Sequence, residues 1–132
     1  MITCKFEDGK DAFLRHVTVG AIIVQDNKIL LVKRSPSSLL EKNKYAVPGG
    51  FLDRGEDTES AIRREVKEET GFETKKAKLF RVNDNPNREG EDRQNVDFNY
   101  VVKILGGELK KTKETVGALW LSENDIPAEE EF

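Results

Sequence analysis

"VPGGFLDRGEDTESAIRREVKEETGF", Val47 to Phe72, holds the strongest local signal in the chain. From Thr58 to about Thr70 the apolar residues Ala61, Ile62 and Val66 recur at three- and four-residue spacing. Asp57 stands where an N-cap belongs, and Gly71 stands where a left-handed residue ends a helix. The pattern predicts a helix preceded by "GGFLDRG", a glycine-bounded loop. Three glutamates, Glu65, Glu68 and Glu69, crowd its last turns. At about 100° per residue, Glu69 lies roughly 40° and Glu68 roughly −60° from Glu65, so the three carboxylates share one face. Such like charges cost roughly 0.2 to 0.5 kcal/mol per pair, and anions near a helix C-terminus also oppose the macrodipole.

Working outward, "HVTVGAIIV" is rich in β-branched residues and is separated by "QDNK" from "ILLV", which reads as a hairpin. "YAV" is a short extended piece, "KAKLFRV" and "NVDFNYVVKIL" are strands, and "NDNPNREGEDRQ" between them is a long polar loop. Gly106-Gly107 suits a tight hairpin turn, "VGALWL" is another strand, and "SENDIP" resembles a capped helical turn. "EDGKD" near the start reads as a turn. Strands outnumber clear helices, which predicts an α+β class with a mixed sheet.

The chain has 132 residues, which is the size of one domain covering 1–132. Acidic residues number 25 and basic ones 22, and a net charge of -3 gives no general attraction to nucleic acid or anionic membrane. The single cysteine, Cys4, cannot form an internal disulfide and reads as an inert thiol. With no apolar run long enough for a signal peptide or membrane span, a soluble, intracellular (cytoplasmic) protein is expected.

The acidic cluster has two readings. One is a solvated helix face; the other is a set of oxygen ligands for a hard divalent cation, with positions left for water and substrate phosphate. Magnesium is the natural candidate, with manganese as a substitute. Without a metal, mutual repulsion would raise one carboxyl pKa toward the range of a base.

Gly50, five residues, Glu56, seven residues, then Arg64-Glu65-Val66-Lys67-Glu68-Glu69-Thr70-Gly71-Phe72 resembles the complete Nudix box, G-x5-E-x7-R-E-U-x-E-E-x-G-U, without departure. Chance occurrence in a chain of this size is on the order of once in ten million from average residue usage. "TVGAIIV", "ILLVKR", "YAVPGG" and "ALWLSENDIP" extend the resemblance over most of residues 16 to 127. The resemblance implies a Nudix-like α/β/α sandwich with a mixed central β-sheet. It also implies hydrolysis of a nucleoside diphosphate linked to some other group X, with a small-molecule nucleotide as the partner.

By the same resemblance, Glu65 and Glu69 match the main metal ligands, Glu68 a further ligand or a base through water, and Gly50 a ligand through its carbonyl. Arg64 matches the residue that orients a box glutamate. Glu56 either reaches a metal or pairs with Arg64. Glu114, ahead of Trp120, sits where similar enzymes place an additional base, and Glu89, Glu91 and Asp92 in the long loop compete with it. Arg34, Arg54 and Arg88 are candidate phosphate contacts, Tyr45 is a candidate for stacking on a base, and His16 reads as the start of a strand.

Pro86, fifteen positions beyond Gly71, is close to the spacing of the ADP-ribose branch, so ADP-ribose or a similar nucleotide sugar is the favoured substrate. The segment before residue 16 is too short for the extra domain with which many such enzymes dimerise. Monomer and homodimer both stay open. The chain stops at "AEEEF", where relatives continue into a helix, so that helix is expected to be short or missing. Two other readings are hydrolysis of oxidised nucleoside triphosphates and a catalytically silent nucleotide-binding domain.

Overall fold

The computed structural model describes residues 1–36, 43–110, 115–128 and 132. Strands β1 (Ile2–Lys5) and β2 (Asp11–Leu14) form a two-stranded sheet across the turn at Gly9, whose φ is 79°. Strand β3 (Val17–Ile22) is followed by β4 (Val24–Gln25) and β5 (Lys28–Arg34). The β4 and β5 strands are joined by Asp26 and Asn27 at φ 50° and 59°. Two successive left-handed residues match the right-handed twist of a hairpin, and Asp and Asn tolerate them best among residues with a Cβ. Strands β6 (Tyr45–Ala46) and β7 (Gly49–Phe51) lead to helix α1 (Thr58–Thr70). Then come β8 (Phe72–Asn83), β9 (Val96–Gly107), β10 (Thr115–Ser122) and a 3-10 turn at Glu123–Asp125.

The expected hairpin exists only at its tip. The chain leaves one sheet after β3 and enters another at β4, with the buried Ile23 at the crossing. In the mixed sheet, ordered β7-β3-β9-β8, strand β3 runs parallel to β9 and antiparallel to β7. In the other sheet β5 pairs with β10, β4 and β6. A run of β-branched residues specifies extended backbone but does not name the strand beside it.

Helix α1 lays Ala61, Ile62 and Val66, all fully buried, on Val19, Ala21, Tyr100 and Val102 of the mixed sheet. Full burial of a side chain such as Ile62 stabilises by roughly 1.5 to 3 kcal/mol. Asp57 Oδ1 accepts from Ser60 N at 2.7 Å, and Gly71, at φ 83°, donates its N–H to Lys67 O at 2.9 Å. Both ends of the helix therefore close as expected. At the sheet side, Thr58 Oγ1 and the Tyr100 hydroxyl are 2.6 Å apart, tying the first helical residue to β9.

Gly106-Gly107 is not a hairpin turn. Both residues continue β9 and pair with Glu73 and Phe72 of β8. A Cβ on Gly107, at φ 100°, would come within 2.6 Å of Gly71 O, so the glycine serves the close crossing of strand end and helix end. "GGFLDRG" also differs from a plain loop, since Gly49–Phe51 pairs with β3. A side chain on Gly49 would run into the carbonyl of Val19, so only glycine lets β7 lie this close.

The polar stretch between β8 and β9 is tied at both feet by one residue. Arg15 Nε donates to Gln94 O at 2.7 Å, and its Nη2 donates to Asp84 O at 2.5 Å. Beside them Val96 N donates to His16 O at 2.8 Å. Among the described residues, no helix is long and apolar enough to cross a membrane.

Candidate active site

The end of β7 and the exposed side of α1 face each other, and Arg64 joins them. Its Nη2 and Nε grip Glu56 at 2.7 and 3.1 Å, its Nη1 reaches Glu65 Oε1 at 2.8 Å and Glu68 Oε2 at 3.2 Å, and Nη2 also donates to Phe51 O at 3.1 Å. Asp53 Oδ2 lies 3.5 Å from the same nitrogen. One planar cation thus partly offsets the mutual repulsion of four carboxylates.

The carboxylates sit in different surroundings. Glu56 is a paired anchor, with its pKa lowered by Arg64 and by the backbone N–H of Asp53, which donates to it at 2.9 Å. Glu65 is only 13% exposed, and its pKa is raised because burial penalises the charged form more than Arg64 favours it, with Glu68 and Asp53 adding repulsion. Glu68 is 59% exposed and meets Arg64 at the rim. Glu69 Oε2 accepts from the backbone N–H of Gly49 at 2.9 Å, which fixes the last turn of the helix to β7.

Gly50 is the floor of this arrangement. A Cβ there would stand 2.5 Å from Glu65 Oε1, 2.7 Å from its Cδ and 2.8 Å from Oε2, so the Glu65 carboxylate occupies the space that a side chain would fill. Among the described residues, no three His, Cys, Asp or Glu side chains converge on a common centre as they stand. The cause is visible in the hydrogen bonds: Glu56, Glu65 and Glu68 all turn toward Arg64.

The structure therefore brings together Gly50, Arg64, Glu65 and Glu68, with Glu69 attached through Gly49. Among the described residues, no hydrogen bond or ion pair joins Tyr45, Arg54 or Arg88 to this cluster. Arg34 ends β5, where its backbone N–H donates to Lys44 O at 2.9 Å. Tyr45 lies under Lys33 Nζ, 5.0 Å from the ring centre, and beside Phe132. Arg54 is exposed and has no side-chain partner among the described residues. Arg88 is ion-paired with Asp97 at 2.9 Å and Glu91 at 3.3 Å, and Asp97 in turn accepts from Thr18. Glu91 also meets Arg93, Asp92 meets the Met1 amine, Glu89 is exposed, and the His16 ring lies 5.2 Å from that of Phe51. Glu114 lies outside the described residues. Sequence reasoning missed the Phe51 carbonyl and Asp53 as partners of Arg64; a backbone acceptor leaves no mark in residue identity.

The NUDIX domain profile matches residues 14–132 of the chain. The chain belongs to the Nudix family. Nudix hydrolases act on small-molecule nucleotides and generally use divalent metal cations. Over 111 residues the chain is 38% identical to a protein of Methanocaldococcus jannaschii named ADP-ribose pyrophosphatase, covering 84% of this chain and 64% of that one. The chain thus spans a little under two thirds of that relative's length. It is 34% identical over 65 residues to the 8-oxo-dGTP diphosphatase of Escherichia coli, covering 49% and 50% of the two chains. Among solved structures, a MutT NUDIX hydrolase from Burkholderia pseudomallei superposes with a TM-score of 0.76 at 29% identity, over 88% of this chain and 89% of that one. Such likeness agrees with the expected sandwich built on a mixed sheet, of which α1 and the β7-β3-β9-β8 sheet are the parts that carry the site.

Proposed function

We propose that this Nudix chain is a magnesium-dependent pyrophosphohydrolase that cleaves the diphosphate of a nucleoside diphosphate linked to X, with ADP-ribose or a similar nucleotide sugar as substrate. The observation that carries the reading is the seating of the Glu65 carboxylate in the side-chain space of Gly50, with Arg64 locking it there. The donor set fits a hard divalent cation, because Glu65, Glu68, Glu69 and the Gly50 carbonyl offer only oxygen. The ion, when bound, supplies charge neutralisation and polarisation at the diphosphate.

The protein residues have separate tasks. Arg64 and Glu56 form a rigid pair that sets the rotamer of Glu65, as an outer partner orients a ligand. Gly49 N–H does the same for Glu69. Glu68, the exposed member, takes a proton from the attacking water. Glu114 remains a second candidate for that task. Water oxygen joins one phosphorus, the bridging P–O bond breaks, and the departing phosphate keeps the electron pair. Arg34, Arg54 and Tyr45 are proposed to meet the nucleotide.

The 38% identity to the archaeal protein supports the ADP-ribose preference. Similarity to the Escherichia coli protein favours a second reading, hydrolysis of oxidised dGTP. Product analysis separates the two: ADP-ribose gives AMP and ribose 5-phosphate, whereas a triphosphate gives a monophosphate and pyrophosphate. Glu69→Gln is expected to remove most magnesium-dependent turnover with an unchanged circular dichroism spectrum. Undiminished turnover would overturn the role of Glu69, and nucleotide binding without hydrolysis of any of these substrates would favour the silent domain.

A further inference from the structure

Among the described residues, strand β8 stands at one edge of the mixed sheet, and its outward face is basic and apolar. Between Thr74 and Val82 the sequence carries Lys75, Lys76, Lys78 and Arg81 and no acidic residue, in a chain whose net charge is -3. The ladder puts Lys76 opposite Lys103 and Lys78 opposite Val101, while the intervening Ala77 and Val102 turn inward to the core. The register then steps from Leu79–Tyr100 to Arg81–Asn99, so Phe80 has no partner across the ladder. It is the extra residue of a bulge, a device that re-aims side chains. Phe80 is 66% exposed, Leu79 and Val101 are exposed beside it, and with Lys76, Lys78 and Lys103 they line a shallow groove.

The free edge of the strand adjoins this groove. Arg63 Nη1 takes the Thr74 carbonyl at 3.3 Å, and from there to Val82 the strand makes no backbone hydrogen bond beyond its β9 ladder among the described residues. Lysines on an edge discourage pairing with another copy of the same strand, since like charges would face one another. They do not account for a phenylalanine held out beside them by a bulge. A strand bearing carboxylates and an apolar residue removes both difficulties: its acids meet the lysines and its apolar side chain covers Phe80.

We propose that the β8 edge is a docking site for an extended acidic and apolar polypeptide segment, which adds as a fifth strand to the mixed sheet. Main-chain hydrogen bonds to β8 supply affinity in this mode, and Lys76, Lys78 and Phe80 select the side chains. The proposal is independent of the catalytic reading, because none of these residues belongs to the proposed active site.

The test uses the full chain and two fluorescent peptides, TLTETET and TLTKTKT, read by anisotropy at low salt. The acidic peptide is expected to bind and the basic one not to. Lys76→Glu with Lys78→Glu should weaken binding about tenfold or more, and Phe80→Thr should weaken it severalfold. Neither variant should alter the circular dichroism spectrum or nucleotide turnover. Failure of the acidic peptide to bind, equal binding of both peptides, or binding that survives the substitutions overturns the proposal. A preference for phosphatidylserine vesicles or a dT20 oligonucleotide over the peptide, lost in the same variants, also overturns it in favour of a lipid or nucleic-acid surface.

Discussion

Two neighbouring glycines predict opposite outcomes when each is replaced by alanine. At Gly50 the added methyl would stand 2.5 Å from Glu65 Oε1, whereas ordinary contact begins at 3.4 Å. The carboxylate must therefore retreat by about 0.9 Å, the difference between those distances, a displacement of the size that costs about 10²-fold in rate at a reacting centre. The fold should tolerate the change: the obstacle is the far end of a flexible side chain, and loss of glycine's freedom in the unfolded chain contributes about 0.4 to 1 kcal/mol in favour. At Gly49 the obstacle is the Val19 carbonyl, with Gly20 Cα also at 3.0 Å, and neither can move without parting β7 from β3. Overpacking of that kind costs about 1 to 3 kcal/mol, which lowers the melting temperature by several degrees, about 10 °C at the upper end. The assay is a thermal melt and an ADP-ribose turnover measurement on both variants. Gly50→Ala should melt with the parent and turn over about a hundredfold more slowly, while Gly49→Ala should melt early. Parental turnover in a stably folded Gly50→Ala protein would refute the placement of Glu65 as a working group.

Arg64→Lys keeps the charge but loses the two-pronged grip on Glu56 and the bond to Phe51 O, so magnesium affinity or turnover should fall about 10- to 100-fold; metal titration by calorimetry checks this, and an unchanged affinity and rate would exclude the positioning role. Glu65 supplies a pH test. Its folded pKa lies above 4.5, so the folded chain holds its proton more tightly than the unfolded one, and stability falls as pH rises from about 4.5 through the folded value. Glu65→Gln without divalent metal should therefore gain on the parent in that window and above it. Glu56, with its pKa lowered, acts in the opposite sense: its contribution holds above 4.5 and is lost in acid. Melts across about pH 4 to pH 8 decide, and a stability gap between parent and Glu65→Gln that does not change with pH would disprove the assignment.

The helix and its acidic face were legible because every cue is local. The cap, the apolar spacing and the terminal glycine fall within one window, and the structure ends the helix at Thr70 as that window implies. The mixed sheet was legible as a class but not as an order of strands. Nothing in "HVTVGAIIV" says that its first part lies parallel to a strand near residue 100, because that choice is made by burial of Val19 and Ala21 under α1. Gly106-Gly107 was misread for a related reason: glycine marks both a turn and a close crossing, and only the distant Gly71 distinguishes them. At the site, spacing alone put the carboxylates on one face. That Arg64 gathers Glu56, Glu65 and Glu68 at once depends on the path of β7, which residue types do not encode.

The clasp by which Arg15 holds the chain at Asp84 and Gln94 divides the molecule into a permanent part and a replaceable one. Since both ends of the intervening stretch are fixed from outside, lengthening its interior away from Arg88, which is paired with Asp97 of β9, is expected to keep the register of β8 on β9. Doubling such a span costs only about 0.6 kcal/mol in closure entropy. Insertions confined to the stretch between Asp84 and Gln94 are thus expected to leave the β8–β9 scaffold in place.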